Sequence, residues 1–540
     1  MSDGNTESEG SVNISNGGES DITCHTKRKR LRWKKCVRTF EQKCLICEKD
    51  YCTKCLSKYR FPGDRKPPTV CKSCFPEYLH RILFPDRSYD EQREVVMVYL
   101  KQFVFSPHSE DENSTDESSG ELVLSKPSTE SKEGFLATHD VKPKIPMASK
   151  VLDKVAMGVL RMSGMHDGGV LNRSYVNRAS RRKIKFIEAV SDIQKYTITV
   201  PYRYPTDDYE FEKYNLDPKE ILEPPQEGEP ETFDLVVKVF HYGKQEGELL
   251  PVVIWMHGGG FVMGDVDDSV QNRTMSRFCN CIKGVVVNVN YRLAPEFRWP
   301  TQPEDAYSVL KWVHDKGEEI LGIDPKLISI GGDSAGGNLA NVVSIMAKER
   351  NGPKIIHQVS IYPGVHGEDT ESESYRKYGN GPFLRLKLLR WFKKQFLYAP
   401  DANCGVHPFL SPLLYKKIVG LPPLTMITAG YCPLTDHARM YADRFKEAEI
   451  PVVYTEYSTS FHGFYHSFSP ESIQALTETS ALFCYYINIA KDILYGRDRD
   501  RKDENIRHSH DNWDPEEELD ESEGSCDEDG NIEYNEVNCL

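Results

Sequence analysis

Leu327-Ile328-Ser329-Ile330-Gly331-Gly332-Asp333-Ser334-Ala335-Gly336-Gly337-Asn338-Leu339-Ala340 decides the fold of this 540-residue chain. The run LISI reads as a buried strand, and GGNLANVVSIMAKE reads as a helix, with Gly332-Asp333-Ser334-Ala335-Gly336 as the turn between them. Small residues flank the serine because a strand-to-helix turn this tight has no room for bulky side chains. The turn projects the serine hydroxyl above the sheet edge. The helix N-terminus behind it supplies a positive dipole where oxyanion charge would develop.

Working upstream, His257-Gly258-Gly259-Gly260 follows the strand PVVIWM. Side-chain-free positions there let backbone N–H groups approach a reacting carbonyl oxygen. A phosphate loop is the other use of such glycines, but no Lys-Ser/Thr follows. Further β-branched runs lie at 234–240, 252–256, 285–290, 359–362, 424–428 and 452–457, with helical stretches at 302–313, 337–349 and 436–448. Strands separated by helices predict an α/β fold, a mostly parallel sheet covered on both faces. The Pro-rich, acidic stretch 204–230 reads as a surface excursion. Downstream, His462 sits in a loop after the last strand, before Gly463 and Phe464, where a base must lie to reach a serine on a middle strand. His466 and His437 read as structural.

Taken together, HGGGFVMG, NYRLAPEFRWP, GGDSAGGNLA and FHGFYH resemble the hormone-sensitive-lipase branch of the α/β-hydrolases, which includes carboxylesterases. The resemblance covers residues 148–495. It implies cleavage of carboxylic esters, of short or medium acyl groups or of lipids, through an acyl-enzyme. It implies Ser334 as nucleophile, His462 as general base, and the N–H groups of Gly258, Gly259 and Ala335 as the oxyanion hole. It also implies that 148–200 is part of a cap over the acyl pocket.

The same resemblance exposes a missing acid. The family carries its carboxylate in a segment like G-x-D-P-L-x-D, and this chain reads Gly430-Tyr431-Cys432-Pro433-Leu434-Thr435-Asp436. Cys432 stands in the acid's place. Replacement by Asp436 is the leading expectation, with Glu368 or Asp369 after the strand QVSIYP as second choice, because a triad is defined by geometry. A slow Ser–His dyad is the third. The alternative is a weakened pseudo-hydrolase that binds a small molecule or protein, against which the retention of both Ser334 and His462 argues.

Outside this block the composition changes. Net charge is -14, yet Asp511 to Leu540 holds 13 acidic residues and no Lys or Arg, so the remaining 510 residues carry only -1. Residues 1–22 and the tail 496–540 read as disordered, and 106–147 as a polar linker. Ser525 to Glu536 fits an EF-hand loop with Ser in place of the first Asp, a secondary, calcium-binding reading of the tail. Eight of the 15 cysteines fall between Cys24 and Cys74. Cys44-x2-Cys47, Cys52-x2-Cys55 and Cys71-x2-Cys74 each present two thiolates, and four thiolates close a structural zinc site. Cys36 is a further candidate ligand, with Cys24 and His25 behind it.

CLICEKDYCTKC followed by TVCKSCF resembles the later part of a FYVE-type finger, a cross-brace module that binds two zinc ions. The resemblance implies Cys44, Cys47, Cys71 and Cys74 on one zinc and Cys52 and Cys55 on the other. The family's first CxxC pair is absent. Its basic, His-rich motif is replaced by Phe40-Glu41-Gln42-Lys43, so a protein-binding finger fits as well as a lipid-binding one. The helical pattern at 89–104 reads as an extension of this 23–105 module. The basic run Lys27 to Lys35 suits an anionic membrane surface, nuclear import or plain solvation, and no recognition helix continues it toward nucleic acid. The N-terminus lacks the pattern of a secretory signal and no apolar run reaches the roughly 18 residues of a membrane span. The expectation is a cytoplasmic protein, membrane-peripheral or nuclear through its basic run, with reduced cysteines.

Overall fold

The structure, a computed structural model, describes residues 88–106, 192–201, 209–222, 230–243, 247–367, 372–400, 403–467 and 469–496. It also describes the backbone of four short strands, 42–43, 50–51, 56–58 and 69–71. The expectations for residues 1–22, the basic run, the linker, 148–191, Glu368, Asp369 and the tail with its 525–536 loop lie outside these residues. So do those for the zinc candidates, except the backbone of Cys71. The short strands form two antiparallel pairs, Gln42–Lys43 with Asp50–Tyr51 and Leu56–Lys58 with Thr69–Cys71.

Eight strands build the central sheet: β1 (Asp192–Pro201), β2 (Thr232–His241), β3 (Leu250–Met256), β4 (Val285–Val289), β5 (Ile323–Asp333), β6 (His357–Ile361), β7 (Leu424–Tyr431) and β8 (Val452–Phe461). Their order is β1-β2-β4-β3-β5-β6-β7-β8. All neighbours from β4 to β8 run parallel; β2 is antiparallel to β4, and β1 to β2. Every residue of β3, β4, β6 and β7 is buried, as expected of strands with helices on both faces, whereas β1 and β8 alternate because they form the edges.

The helices that matter below are α1 (Tyr89–Tyr99), α2 (Ser269–Ile282), α3 (Thr301–Leu321), α4 (Ala335–Glu349), α5 (Glu373–Tyr378), α6 (Leu386–Phe396), α7 (Thr435–Glu447) and α8 (Pro470–Tyr495). Their capping is legible in the sequence: Asp268 accepts from two first-turn N–H groups of α2, Ser469 caps α8 ahead of Pro470, and Gly322 ends α3 in the left-handed region. Among the described residues no helix is long and apolar enough to cross a membrane.

Three expectations change. First, 192–201 is not cap but edge strand, paired with β2 along its whole length; its alternation Tyr196, Ile198, Val200 suits a half-buried strand. Second, α1 packs on the domain of the central sheet, where Arg93 pairs with Asp492 of α8 at 2.7 Å and the Tyr99 hydroxyl donates to the Leu421 carbonyl at 2.6 Å. Val96 and Leu100 are fully buried there. Third, the 204–230 excursion is anchored. Tyr209 is buried among Trp299, His407 and Phe409, and its hydroxyl donates to Glu304 at 2.6 Å. Aromatic residues within an acidic, Pro-rich stretch were the unused signal.

Candidate active site

The turn after β5 is set by sterics. Ser334 adopts φ 55°, ψ -116°, a strained conformation for a residue with a side chain, and its N–H donates to the Ile361 carbonyl at 2.8 Å. A Cβ on Gly332 would lie 2.3 Å from the Gly336 backbone, and one on Gly336 would lie 2.0 Å from the Met256 carbonyl oxygen. Both glycines of the motif are therefore required for α4 to approach β3.

Ser334 Oγ lies 2.8 Å from His462 Nε2. The histidine follows β8, and Gly463, at φ +91°, turns the chain so that the ring points inward. His462 is buried, with Tyr362 against the ring at 4.6 Å and Phe383 parallel to it at 6.5 Å. Burial pulls its pKa down to about 4, only partly opposed by the charge of Asp333. The imidazole is neutral at pH 7 and able to accept a proton.

Cys432 Sγ lies 3.2 Å from His462 Nδ1. The thiol follows β7, is fully buried, and accepts the Leu434 N–H at 3.4 Å. Burial pushes its pKa up to about 12, so sulfur here is an uncharged neighbour. Asp436, the leading replacement acid, is elsewhere: its carboxylate accepts the Ser374 N–H at 2.7 Å and pairs with Arg439 at 3.3 Å. That corrects the sequence expectation. Lying in the first turn of α7, Asp436 is committed to joining α5 to α7, while the β7 end itself faces the histidine. His437 stacks on His366 at 5.1 Å and lies against Tyr375 at 5.3 Å.

The loop after β3 is corrected in one member. Gly258 N–H donates to Asp333 Oδ1 at 3.2 Å and so is not available to a substrate. Gly259 and Gly260 have positive φ, 124° and 61°, and among the described residues their N–H groups and that of Ala335 have no protein acceptor. The loop is closed by Val262 and Met263 N–H groups on the Gly259 carbonyl, both at 3.1 Å, and by Ala294 N–H on Phe261 at 2.9 Å. Thus NYRLAPE supports HGGG from below. Arg292 is locked there by a buried pair with Asp305 at 2.6 Å.

A second pair, between buried Asp333 and half-buried His466, was missed. Asp333 Oδ1 lies 3.1 Å from His466 Nε2, with Gly258 N–H on the same oxygen. Burial alone would raise the Asp333 pKa, but His466, with His257 and the Gly258 N–H, outweighs it and holds the carboxyl below its usual range; burial likewise lowers His466, and Asp333 with Asp268 more than reverses it. The pair ties the nucleophile turn to both the glycine loop and the histidine loop. The Asp immediately before Ser334 and the second His of FHGFYH were its only sequence traces. Among the described residues no cluster of three or more His, Cys, Asp or Glu side chains is placed to hold a metal ion.

Residues 253–466 match the family model for the alpha/beta hydrolase fold. The chain is 32% identical over 235 residues to an arylesterase of Saccharolobus solfataricus, covering 43% of this chain and 74% of that one. It is 34% identical over 234 residues to the carboxylic ester hydrolase LipN of Mycobacterium tuberculosis, covering 42% of this chain but only 61% of the relative. A hyperthermophilic esterase from the archaeon Pyrobaculum calidifontis superposes with a TM-score of 0.50 at 28% identity, covering 63% of this chain and 97% of that one. An ester hydrolase from a Lake Arreo metagenome, complexed with a bipyridine phosphonate derivative, gives 0.52 at 26% identity, covering 64% and 99%.

Proposed function

We propose that this chain, which belongs to the alpha/beta hydrolase family, is a carboxylic ester hydrolase working through an acyl-enzyme on Ser334 with His462 as base. The observation that carries this reading is the 2.8 Å contact between Ser334 Oγ and His462 Nε2. Ser334 Oγ attacks the ester carbonyl carbon while its proton passes to Nε2. The tetrahedral oxyanion is stabilised by the N–H groups of Gly259, Gly260 and Ala335. The intermediate then expels the alcohol, which takes the proton from His462, and water repeats the sequence on the acyl-serine.

Cys432 sets the pace of this cycle. The cycle requires the tautomer in which Nδ1–H donates to the Cys432 sulfur and the Nε2 lone pair faces serine; sulfur, which accepts the Leu434 N–H, has the lone pairs to accept both. A neutral thiol cannot offset the charge on the imidazolium, however, and losing the carboxylate costs about 10⁴ in turnover in a serine protease. The same thiol favours a second reading, a binder with little turnover. Hydrolysis of p-nitrophenyl acetate by the full chain beside Ser334→Ala separates the two: equal rates would leave only the binder.

We further propose a zinc-binding module in the N-terminal cysteine block. Cys44, Cys47, Cys52, Cys55, Cys71 and Cys74, with Cys36 as a further candidate, would hold structural zinc. The antiparallel pairing of 42–43 with 50–51, on either side of Cys44-x2-Cys47, suits a knuckle. Metal analysis of the purified full chain should find zinc, and less of it in Cys71→Ser/Cys74→Ser.

A further inference from the structure

We propose that the outer face of α6 docks on an anionic phospholipid bilayer, from which the ester reaches Ser334. The inference deepens the hydrolase reading and rests on it for the fate of the lipid. Between Ser374 and Pro400 the chain carries Arg376, Lys377, Arg385, Lys387, Arg390, Lys393 and Lys394 and not one Asp or Glu, although the whole chain has a net charge of -14. Lys387, Arg390 and Lys394 are exposed, and their spacing of three and four residues puts them on one side of α6. Among the described residues no carboxylate pairs with Lys387 or Lys394. Leu386 and Leu389 flank this stripe half-buried, and Tyr398, just past the helix, is 41% exposed. Cations flanked by leucine and tyrosine suit lipid headgroups with acyl chains beneath them better than an all-polar polyanion.

The inner face of the same helix touches the oxyanion loop. Phe396 stacks on Phe261 with ring centroids 4.0 Å apart, and the ring of Phe392 lies so close that a Cβ on Gly260 would be 2.5 Å from it. Phe383, just before the helix, lies parallel to His462. One element thus offers cations outward and aromatic rings to the glycine loop and the base. A bilayer on its outer face would lie one helix, about 10 Å, from the site.

The test uses the full chain carrying Ser334→Ala, so that binding is read without turnover, and phosphatidylcholine vesicles with or without phosphatidylserine. We expect binding only with phosphatidylserine, weakened by added salt. Lys387→Gln/Lys394→Gln should lower the partition coefficient about thirty-fold, roughly five-fold per lysine, and Lys387→Arg/Lys394→Arg should retain it. With Ser334 intact, both pairs of substitutions should hydrolyse soluble p-nitrophenyl acetate at the unmodified rate. Absence of binding to phosphatidylserine vesicles, as an acidic protein partner would give, overturns the proposal. So does undiminished binding by the Gln variant, which would assign the lipid contact to the basic run Lys27 to Lys35 or the cysteine block. Vesicle binding is read independently of ester turnover, so failure of the hydrolase reading would be seen separately.

Discussion

Replacing Cys432 by Asp should convert a slow hydrolase into a fast one. The sulfur is 3.2 Å from His462 Nδ1 and also accepts the Leu434 N–H. An Asp side chain reaches about one bond further, so a carboxylate oxygen there meets Nδ1–H at the short distance of a charge-assisted hydrogen bond, about 2.7–2.9 Å. The missing acid is worth about 10⁴ in turnover in a serine protease, or roughly 5 kcal/mol. Position 432 is fully buried, so desolvation of the new carboxylate takes back part of that gain, and the two N–H donors offset part of the desolvation. We expect kcat to rise about 10²–10³-fold, roughly 3–4 kcal/mol.

The pH profile provides a second, independent readout. With the thiol, burial holds His462 near 4, so kcat/KM should be flat from pH 5 to 8. A carboxylate stabilises the imidazolium and raises that pKa, so the acid limb should move upward toward neutrality. Steady-state hydrolysis of p-nitrophenyl acetate by the full chain, with Cys432→Ser as the neutral control, measures both. A folded Cys432→Asp protein no faster than the parent, with its acid limb unmoved, would refute the assignment of position 432 as the acid's place.

Three further outcomes follow from the geometry. His466→Gln leaves buried Asp333 without its cation but with the Gly258 N–H, and should lower stability by about 1–3 kcal/mol, read as a fall in denaturation midpoint. Because the folded pKa of His466 is raised, its stabilisation is full below about pH 6.5 and is lost as pH rises through the folded value; His466→Gln should lack that slope. Gly260→Ala drives a methyl into Phe392 at a backbone φ of 61° and should reduce kcat about 10²-fold by displacing an oxyanion donor. Adding Phe392→Ala should recover part of the loss, and no recovery would mean that the backbone strain alone is responsible. Glu478, buried on α8 beneath Thr455 and Tyr457, has its pKa raised to about 7 by burial. The unfolded chain ionises first, so stability should fall as pH rises from about 4.5 to 7. Glu478→Gln should remove that fall, about 3 kcal/mol in full, in thermal melts run across the range.

Periodicity and local sterics made much of this protein legible. The runs at 252–256, 285–290, 359–362 and 424–428 became strands buried on both faces, where apolar residues fill the whole strand, and the order of all the runs with the helices dictates a mostly parallel sheet. Ser334 could be found because the turn around it excludes side chains, and that exclusion is written into Gly332 and Gly336. The edge strand β1 and the anchored Tyr209 segment went unread because their burial depends on distant partners.

The chain's local chemistry determined the scaffold, the nucleophile turn and the absence of a carboxylate at 432. Tertiary structure decided what each charged group faces. Asp436 is four residues from Cys432, yet α7 turns it to Ser374 and Arg439, while His466, four residues past His462, is carried to Asp333. Gly258, alike in sequence to Gly259 and Gly260, is withdrawn from the oxyanion hole by that same carboxylate. The physical reason is that sequence spacing fixes which face of an element a residue occupies, whereas a hydrogen bond or ion pair depends on ångström-scale distances between elements far apart in the chain, and only packing sets those.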